Sequence, residues 1–120
     1  MPLTSASPQR SSGATVFDFL SALARRHLAA RVGTRGAIEV LAAGSGVFTL
    51  VHQRRSCGGE VAEERIAQLR ALPCGSYQLY WKKGSGRWTA YCAKDCEPFL
   101  GSLDECLVEI ARDPFGCYWS

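Results

Sequence analysis

Six cysteines and two histidines carry the widest range of chemistry in this chain. Cys92 and Cys96 form a Cys-x-x-x-Cys pair, and a tetrahedral zinc site would draw its two further ligands from Cys57, Cys74, Cys106 and His52. The same pair suits a dithiol switch, which needs a thiolate stabilised below the ordinary cysteine pKa. Their placement argues against both. Cys106 falls on the apolar stripe of a predicted helix and Cys92 on the core-facing side of a predicted strand, where a free cysteine acts as a small hydrophobe. The expectation is inert thiols, with no metal and no cofactor.

An enzyme built on imidazole must use His27 or His52. His27 lies beside the apolar stripe of the first predicted helix, the position of a core-edge histidine with a satisfied hydrogen bond. His52 precedes Cys57 by a short stretch, so a base and a nucleophile of a hydrolase stand close in sequence. No carboxylate is specified to orient the ring, and turn chemistry already accounts for Gly58-Gly59. A Cys/His hydrolase or thiol redox protein is therefore the third-ranked reading. No catalytic residue is assigned, and the chain is not expected to be an enzyme.

Binding chemistry is richer. The stretch from Tyr77 to Cys92 holds two of the three tryptophans and three of the four tyrosines. It reads as two strands joined by a glycine turn. A loop of two or four residues centred on Ser85 pairs Trp81 with Trp88, Leu79 with Ala90 and Tyr77 with Cys92, and these six form the expected core face. The opposite, wet face then carries Tyr80 near Tyr91, with Lys82, Lys83 and Arg87 at the turn. Rings that stack bases beside cations that hold phosphates make a platform for single-stranded nucleic acid. Arg54 and Arg55 extend it if strand order brings them near.

These groups need a scaffold. A chain of 120 residues fits one fold. Its 47% hydrophobic and 21% charged residues are ordinary for a globular protein. No apolar run approaches the roughly 20 residues of a membrane span, so no membrane partner is expected. The formal charge of +3, from 14 basic and 11 acidic residues, falls short of a dedicated duplex-DNA binder. Residues 1–13 are rich in serine and proline, without a cationic start before an apolar stretch. They read as a disordered leader and not as an export signal, which places the chain in the cytoplasm with its thiols reduced.

Residues 14–120 read as a single α+β domain. Thr15 and Asp18 make a capping pattern that opens a first helix over 15–32, with Gly33 as its C-cap. Segments 37–43 and 47–55 form a hairpin about Gly44-Ser45-Gly46. A two-residue loop Gly44-Ser45 puts Ile38, Val40, Ala42, Val47, Thr49 and Val51 on one face and Leu41, Phe48 and Leu50 on the other. Apolar residues on both faces call for cover from helices, loops or a second subunit, which makes a homodimer, or an unknown protein partner, one of the expected arrangements. A third strand spans 64–72; the run from Glu63 to Arg70 suits a short helix nearly as well, but Ile66, Gln68, Arg70 and Leu72 against Ala67, Leu69 and Ala71 give no clean helical stripe. Ser102 and Glu105 form a second capping box ahead of Leu103, Cys106, Leu107, Ile110 and Ala111, a helix that Asp113-Pro114 ends. The aromatic tail after it must pack back on the domain or on a partner. The expected fold is a meandering antiparallel sheet of about five strands with an N-terminal and a C-terminal helix packed on it.

The runs Ile66-Ala-Gln-Leu-Arg70, Tyr77-Gln-Leu-Tyr-Trp81, Arg87-Trp-Thr-Ala-Tyr91, Leu103-Asp-Glu-Cys-Leu-Val-Glu-Ile110 and Asp113-Pro-Phe-Gly-Cys-Tyr-Trp119 occur in that order. In this the chain resembles the bacterial family called domain of unknown function three thousand and twenty-four, over Ile66 to Trp119, with Ser120 standing where a glycine is expected. The resemblance implies a bacterial, cytoplasmic protein with this order of elements, and it transfers no catalytic residue. The leading reading is a small non-enzymatic binding or accessory protein. A regulator that binds single-stranded nucleic acid through Tyr80, Tyr91, Lys82, Lys83 and Arg87 stands second.

Overall fold

A computed structural model describes residues 7–34, 36–94 and 97–119. Helix α1 (Ser7–Val32) leads into strands β1 (Gly36–Gly44), β2 (Val47–Arg55), β3 (Val61–Ala71), β4 (Tyr77–Lys82) and β5 (Trp88–Ala90). The short strands β6 (Cys92–Lys94), β7 (Glu97–Pro98) and β8 (Leu100–Gly101) follow, then helix α2 (Leu103–Arg112). Strands β1 to β5 form an antiparallel meander in sequence order, as the runs of β-branched and aromatic residues lead one to expect. β8 returns to pair with β4, while β6 and β7 make a separate small ladder.

Both helices lie on one face of this sheet. Leu20, Leu23, Ala24 and Leu28 from α1 and Leu103, Cys106, Leu107 and Ile110 from α2 share one buried cluster with Val40, Leu50, Ala67, Leu69 and Leu79. The molecule is 24 Å across its thinnest axis, the depth of one helix layer on one sheet. The helices are tied to each other as well. His27 Nε2 lies 2.6 Å from Asp104 Oδ1, and Arg31 donates through Nε and Nη2 to the carbonyls of Ala111 and Arg112 at 2.8 and 3.0 Å. Arg31 thereby satisfies carbonyls that the end of α2 leaves without helical partners. His27 is the core-edge histidine the sequence suggests.

Helix α2 opens as expected, with Ser102 and Glu105 exchanging both bonds of the capping box at 3.1 and 2.9 Å. Helix α1 differs, because it begins at Ser7 and runs through the Thr15–Asp18 pattern without a break. Proline is tolerated in a first helical turn, so Pro8 does not oppose the earlier start. Of the expected leader, residues 1–6 lie outside the described residues and 7–13 belong to this helix.

Both hairpins differ from expectation by one residue, and for the same reason. Chain reversal between β4 and β5 uses the three residues Gly84, Ser85 and Gly86, closed by one bond from Lys83 N to Arg87 O at 3.1 Å and one from Gly86 N to Lys83 O at 2.7 Å. Gly86 takes a φ of 86°, the left-handed residue of a turn-plus-bulge loop. An odd loop moves the register, so the pairs are Tyr80 with Ala90, Trp81 with Thr89 and Lys82 with Trp88. Trp81 stays against the core, and Trp88 moves to the opposite face. The first hairpin likewise gains a bulge between Ala42 and Gly44, which pairs Ala42 with Phe48 and Val40 with Leu50. Ile38, Val40, Phe48 and Leu50 thus point together into the core, and Val47, Thr49 and Val51 share the outer face with Leu41. A third irregularity, at Ile66 in β3, turns that residue inward beside Ala67.

After α2 the chain turns on Asp113, whose φ of 44° is left-handed. Its carboxylate accepts from the backbone N–H groups of Cys117, Tyr118 and Trp119 at 2.7, 3.1 and 3.0 Å. Trp119 donates its indole N–H to the carbonyl of Ile110 at 2.9 Å. The aromatic tail therefore docks as the sequence requires, held by one buried carboxylate. Asp113→Ala should cost about 2–4 kcal/mol in urea unfolding, because three N–H groups lose a charged acceptor and alanine strains the left-handed turn. Asp113→Asn, which keeps an acceptor and tolerates that turn, should cost less. Equal midpoints for wild type and Asp113→Ala would show that the tail is not held this way.

Candidate functional site

With both helices on the inner face, strand alternation decides what the other face presents. Cross-strand pairing lines up Leu41, Thr49, Gln68, Tyr80 and Ala90 in one row and Val47, Arg70, Gln78 and Leu100 in the next. Lys82 and Trp88 form a pair at the β4–β5 end. Tyr80 and Trp88 are diagonal neighbours on this face, a separation of about 7–8 Å between backbones. Leu100 is 53% exposed there.

A chain of polar contacts fixes the middle of the face. Gln68, buried, donates from Nε2 to the Thr49 hydroxyl at 3.1 Å and accepts from Arg70 Nε at 2.7 Å. Arg70 lays its guanidinium over the Tyr80 ring at 3.8 Å. This stack is a cation–π contact with the guanidinium orientation set from behind by an amide. Among the described residues only Nε of Arg70 bonds to protein, which leaves its two terminal nitrogens available.

The five residues named from the sequence do not stay together. Tyr91 is 1% exposed, because alternation through the observed register turns it inward. Its hydroxyl donates to Glu109 Oε2 at 2.7 Å, and its ring packs against Phe99, Phe115 and Tyr118. Burial and that carboxylate push the Tyr91 phenol well above its ordinary pKa. The expectation that Tyr91 stands exposed beside Tyr80 is corrected. Trp88 takes its place. Lys82, Lys83 and Arg87 are exposed at the turn. Lys83 and Arg87 flank Trp88 in a shallow cleft of about 640 Å³ along β5. Arg54 and Arg55 line a different cleft of about 500 Å³ with Cys57, at the far end of β2.

Sequence reasoning missed Arg65, Arg70, Gln68 and Trp88 as members of this face. A cue was present, since the chain from Arg65 to Arg87 holds five basic residues (Arg65, Arg70, Lys82, Lys83, Arg87) and no acidic one. Only the bulge at Ile66 makes Arg65 share a face with Gln68 and Arg70.

The reactive side chains are dispersed. Cys106 is buried under α2 and its thiol is pushed up to about 12 by desolvation. Cys74 is exposed, with a thiol held below its ordinary value by the backbone N–H and then the hydroxyl of Ser76. Cys92 is exposed and not in the core, while Cys96 lies outside the described residues. Among the described residues no three His, Cys, Asp or Glu side chains converge on a metal site. His52 is buried with its ring edge-on to Trp119 at 5.2 Å, and its Nε2 has no hydrogen-bond partner among the described residues. Desolvation and then Arg54 lower its pKa. Cys57 is exposed in the turn after β2, so that base is turned into the core while the thiol faces outward. Among the described residues no helix is long and apolar enough to cross a membrane.

A family model described as Domain of unknown function (DUF3024) matches residues 4–120. The chain belongs to that family, and the match takes in the N-terminal helix and first hairpin as well as Ile66 to Trp119. No curated protein and no solved structure matches the chain.

Two measurements probe these side chains. Near neutral pH a thiol reagent should modify Cys74 quickly and leave Cys106 untouched until α2 lifts away, as peptide mapping would show. Comparable rates at both would mean that α2 opens readily. His52 sits in the folded protein with its pKa below the ordinary 6.5, so the unfolded chain takes up its proton first. Its contribution to stability is complete above that value and disappears as pH falls through the lowered folded value. Wild type should therefore lose more stability than His52→Asn between about pH 7 and 5. Parallel losses would remove His52 from the acid response.

Proposed function

We propose that this member of the family works as a small non-enzymatic binding protein in the cytoplasm, and that the outer face of its sheet is the working surface. The observation that supports the reading is one-sidedness. Both helices and the aromatic tail pack on the inner face, yet the outer face still spends residues on aromatic and fixed polar groups: Tyr80, Trp88, Leu100 and the Thr49–Gln68–Arg70 chain. A solvated face needs no buried glutamine to aim an arginine. Exposed apolar surface rimmed by polar groups is the usual mark of an interaction site. The division of reactive groups supports the same reading, since His52 is sealed beneath Trp119 while Cys57 and Cys74 are dispersed at turns.

Photo-crosslinking in cells tests which side is used. Leu100→p-benzoylphenylalanine on the outer face should give discrete adducts on irradiation. Arg26→p-benzoylphenylalanine, on the exposed side of α1, should give few. An adduct of twice the chain mass would identify a second copy as the occupant. Equal yields from both positions, or none from Leu100, would overturn the assignment of the outer face.

A further inference from the structure

We infer that the occupant of the outer face is single-stranded nucleic acid, held by stacking on Trp88 and on the Arg70–Tyr80 pair, with phosphates neutralised along the β3–β5 half of the sheet. This rests on the reading of that face as the working surface and names its ligand.

Charge is the first ground. On β3, β4 and the turn, Arg65, Arg70, Lys82, Lys83 and Arg87 stand without an acidic residue between them in sequence. Glu63 and Glu64 share a cleft with Arg65, Lys82 and Lys83, where Glu63 accepts from Gln53 Nε2 at 2.8 Å and Glu64 faces Arg54 Nη2 at 3.9 Å, so the strip carries a cationic excess and not cations alone. No ion pair neutralises any of the five among the described residues. A modest overall charge thus hides a local cationic strip, which attracts a polyanion and not a neutral partner.

Stacking surfaces are the second. Trp88 is half-buried on the face, and next to it the guanidinium plane of Arg70 lies on Tyr80 with only its Nε bonded. Single-stranded bases stack on aromatic rings and on arginine planes alike. Two such platforms at a diagonal cross-strand spacing, with Lys82 beside Trp88 and Arg87 lining the cleft along that ring, alternate base and phosphate contacts, while the Lys83 ammonium lies 5.9 Å over the Trp81 ring on the other side. An acidic peptide would use the cations and leave the rings without a role. Duplex DNA would find a flat sheet with no element shaped for its major groove.

Fluorescence anisotropy with labelled oligonucleotides of about 10 nucleotides, at about 50 and 200 mM salt, tests this on the full chain. A log–log salt slope of about −2 or steeper is expected, from three or more phosphate contacts. Trp88→Ala and Arg70→Gln should each weaken binding about tenfold or more, and the paired change Lys82→Gln with Arg87→Gln should flatten the slope. Circular dichroism melts identify any variant that fails to fold, in which case quenching of tryptophan emission by the oligonucleotide, with the charge variant, carries the test. Affinity weaker than about 100 µM, below the usual non-specific range, would overturn the inference. So would equal binding of a poly-glutamate peptide, or binding indifferent to all these changes. Adducts at Leu100 without oligonucleotide binding would leave the outer face as the working surface and remove only this ligand.

Discussion

The backbone of Leu79 is the point on which the arrangement turns. Its N–H donates to the carbonyl of Phe99 at 3.2 Å and its carbonyl accepts from the N–H of Tyr91 at 2.9 Å, and Phe99 in turn donates to Tyr91 at 2.8 Å. One residue of β4 thereby receives the chain both as it leaves β5 and as it comes back toward β8. A buried peptide group must find partners, so this junction fixes where each segment lies. With Leu79 pointing inward, its neighbour Tyr80 must point outward, and the inward direction of Tyr91 follows from the same register. Core and outer face are two consequences of one alternation.

What happens to the carboxylates completes the division. Helix α2 and its C-cap carry Glu105, Glu109 and Asp113 at four-residue intervals, and each has a structural partner. Glu105 closes the capping box, Glu109 accepts from Tyr91, and Asp113 gathers the tail. Glu109 and Asp113, both buried, are tolerated because charged acceptors make the stronger hydrogen bonds and the donors would otherwise go unpaired. Tyr91 and Glu109 also explain why α2 sits where it does. The phenol adds a directional constraint to an apolar interface that Leu103, Leu107 and Ile110 would hold less specifically.

Much of this was legible in the residues themselves. Element order, the second capping box, the stop at Asp113-Pro114 and the need for the tail to dock all follow from local chemistry that acts within a few residues. Register did not, and the reason is specific. Gly44 and Gly46 in the first hairpin and Gly86 in the second adopt positive φ, and at each turn this lets the loop take in one residue more than an even loop allows. The sequence displays the glycines, but whether the extra residue is taken in depends on pairing energies across strands far apart in the chain. A shift of one position exchanges inside for outside along a whole strand. Trp88 and Tyr91 therefore traded places relative to the expected arrangement, and the aromatic side of the candidate face survived with different members. Arg65 and Arg70 were invisible as partners until the Ile66 bulge brought them to one side.

The same segregation bears on how a protein of net charge +3 concentrates its field. Distributed evenly, such a charge would be screened within a Debye length of about 10 Å and would steer nothing. Here Asp104 is bonded to His27, Glu109 faces Arg112 and Glu64 faces Arg54, while the cations of β3, β4 and the turn make no ion pair among the described residues. A field arises from where charge is left uncompensated more than from the total. The buried Gln68 sharpens the point, because holding an arginine flat on a tyrosine sacrifices rotamer freedom worth about 2 kcal/mol in a free side chain. Nothing in the packing of the core requires that sacrifice. An arginine fixed in advance loses less rotamer freedom on meeting a planar or anionic group, which is the physical content of the proposed surface.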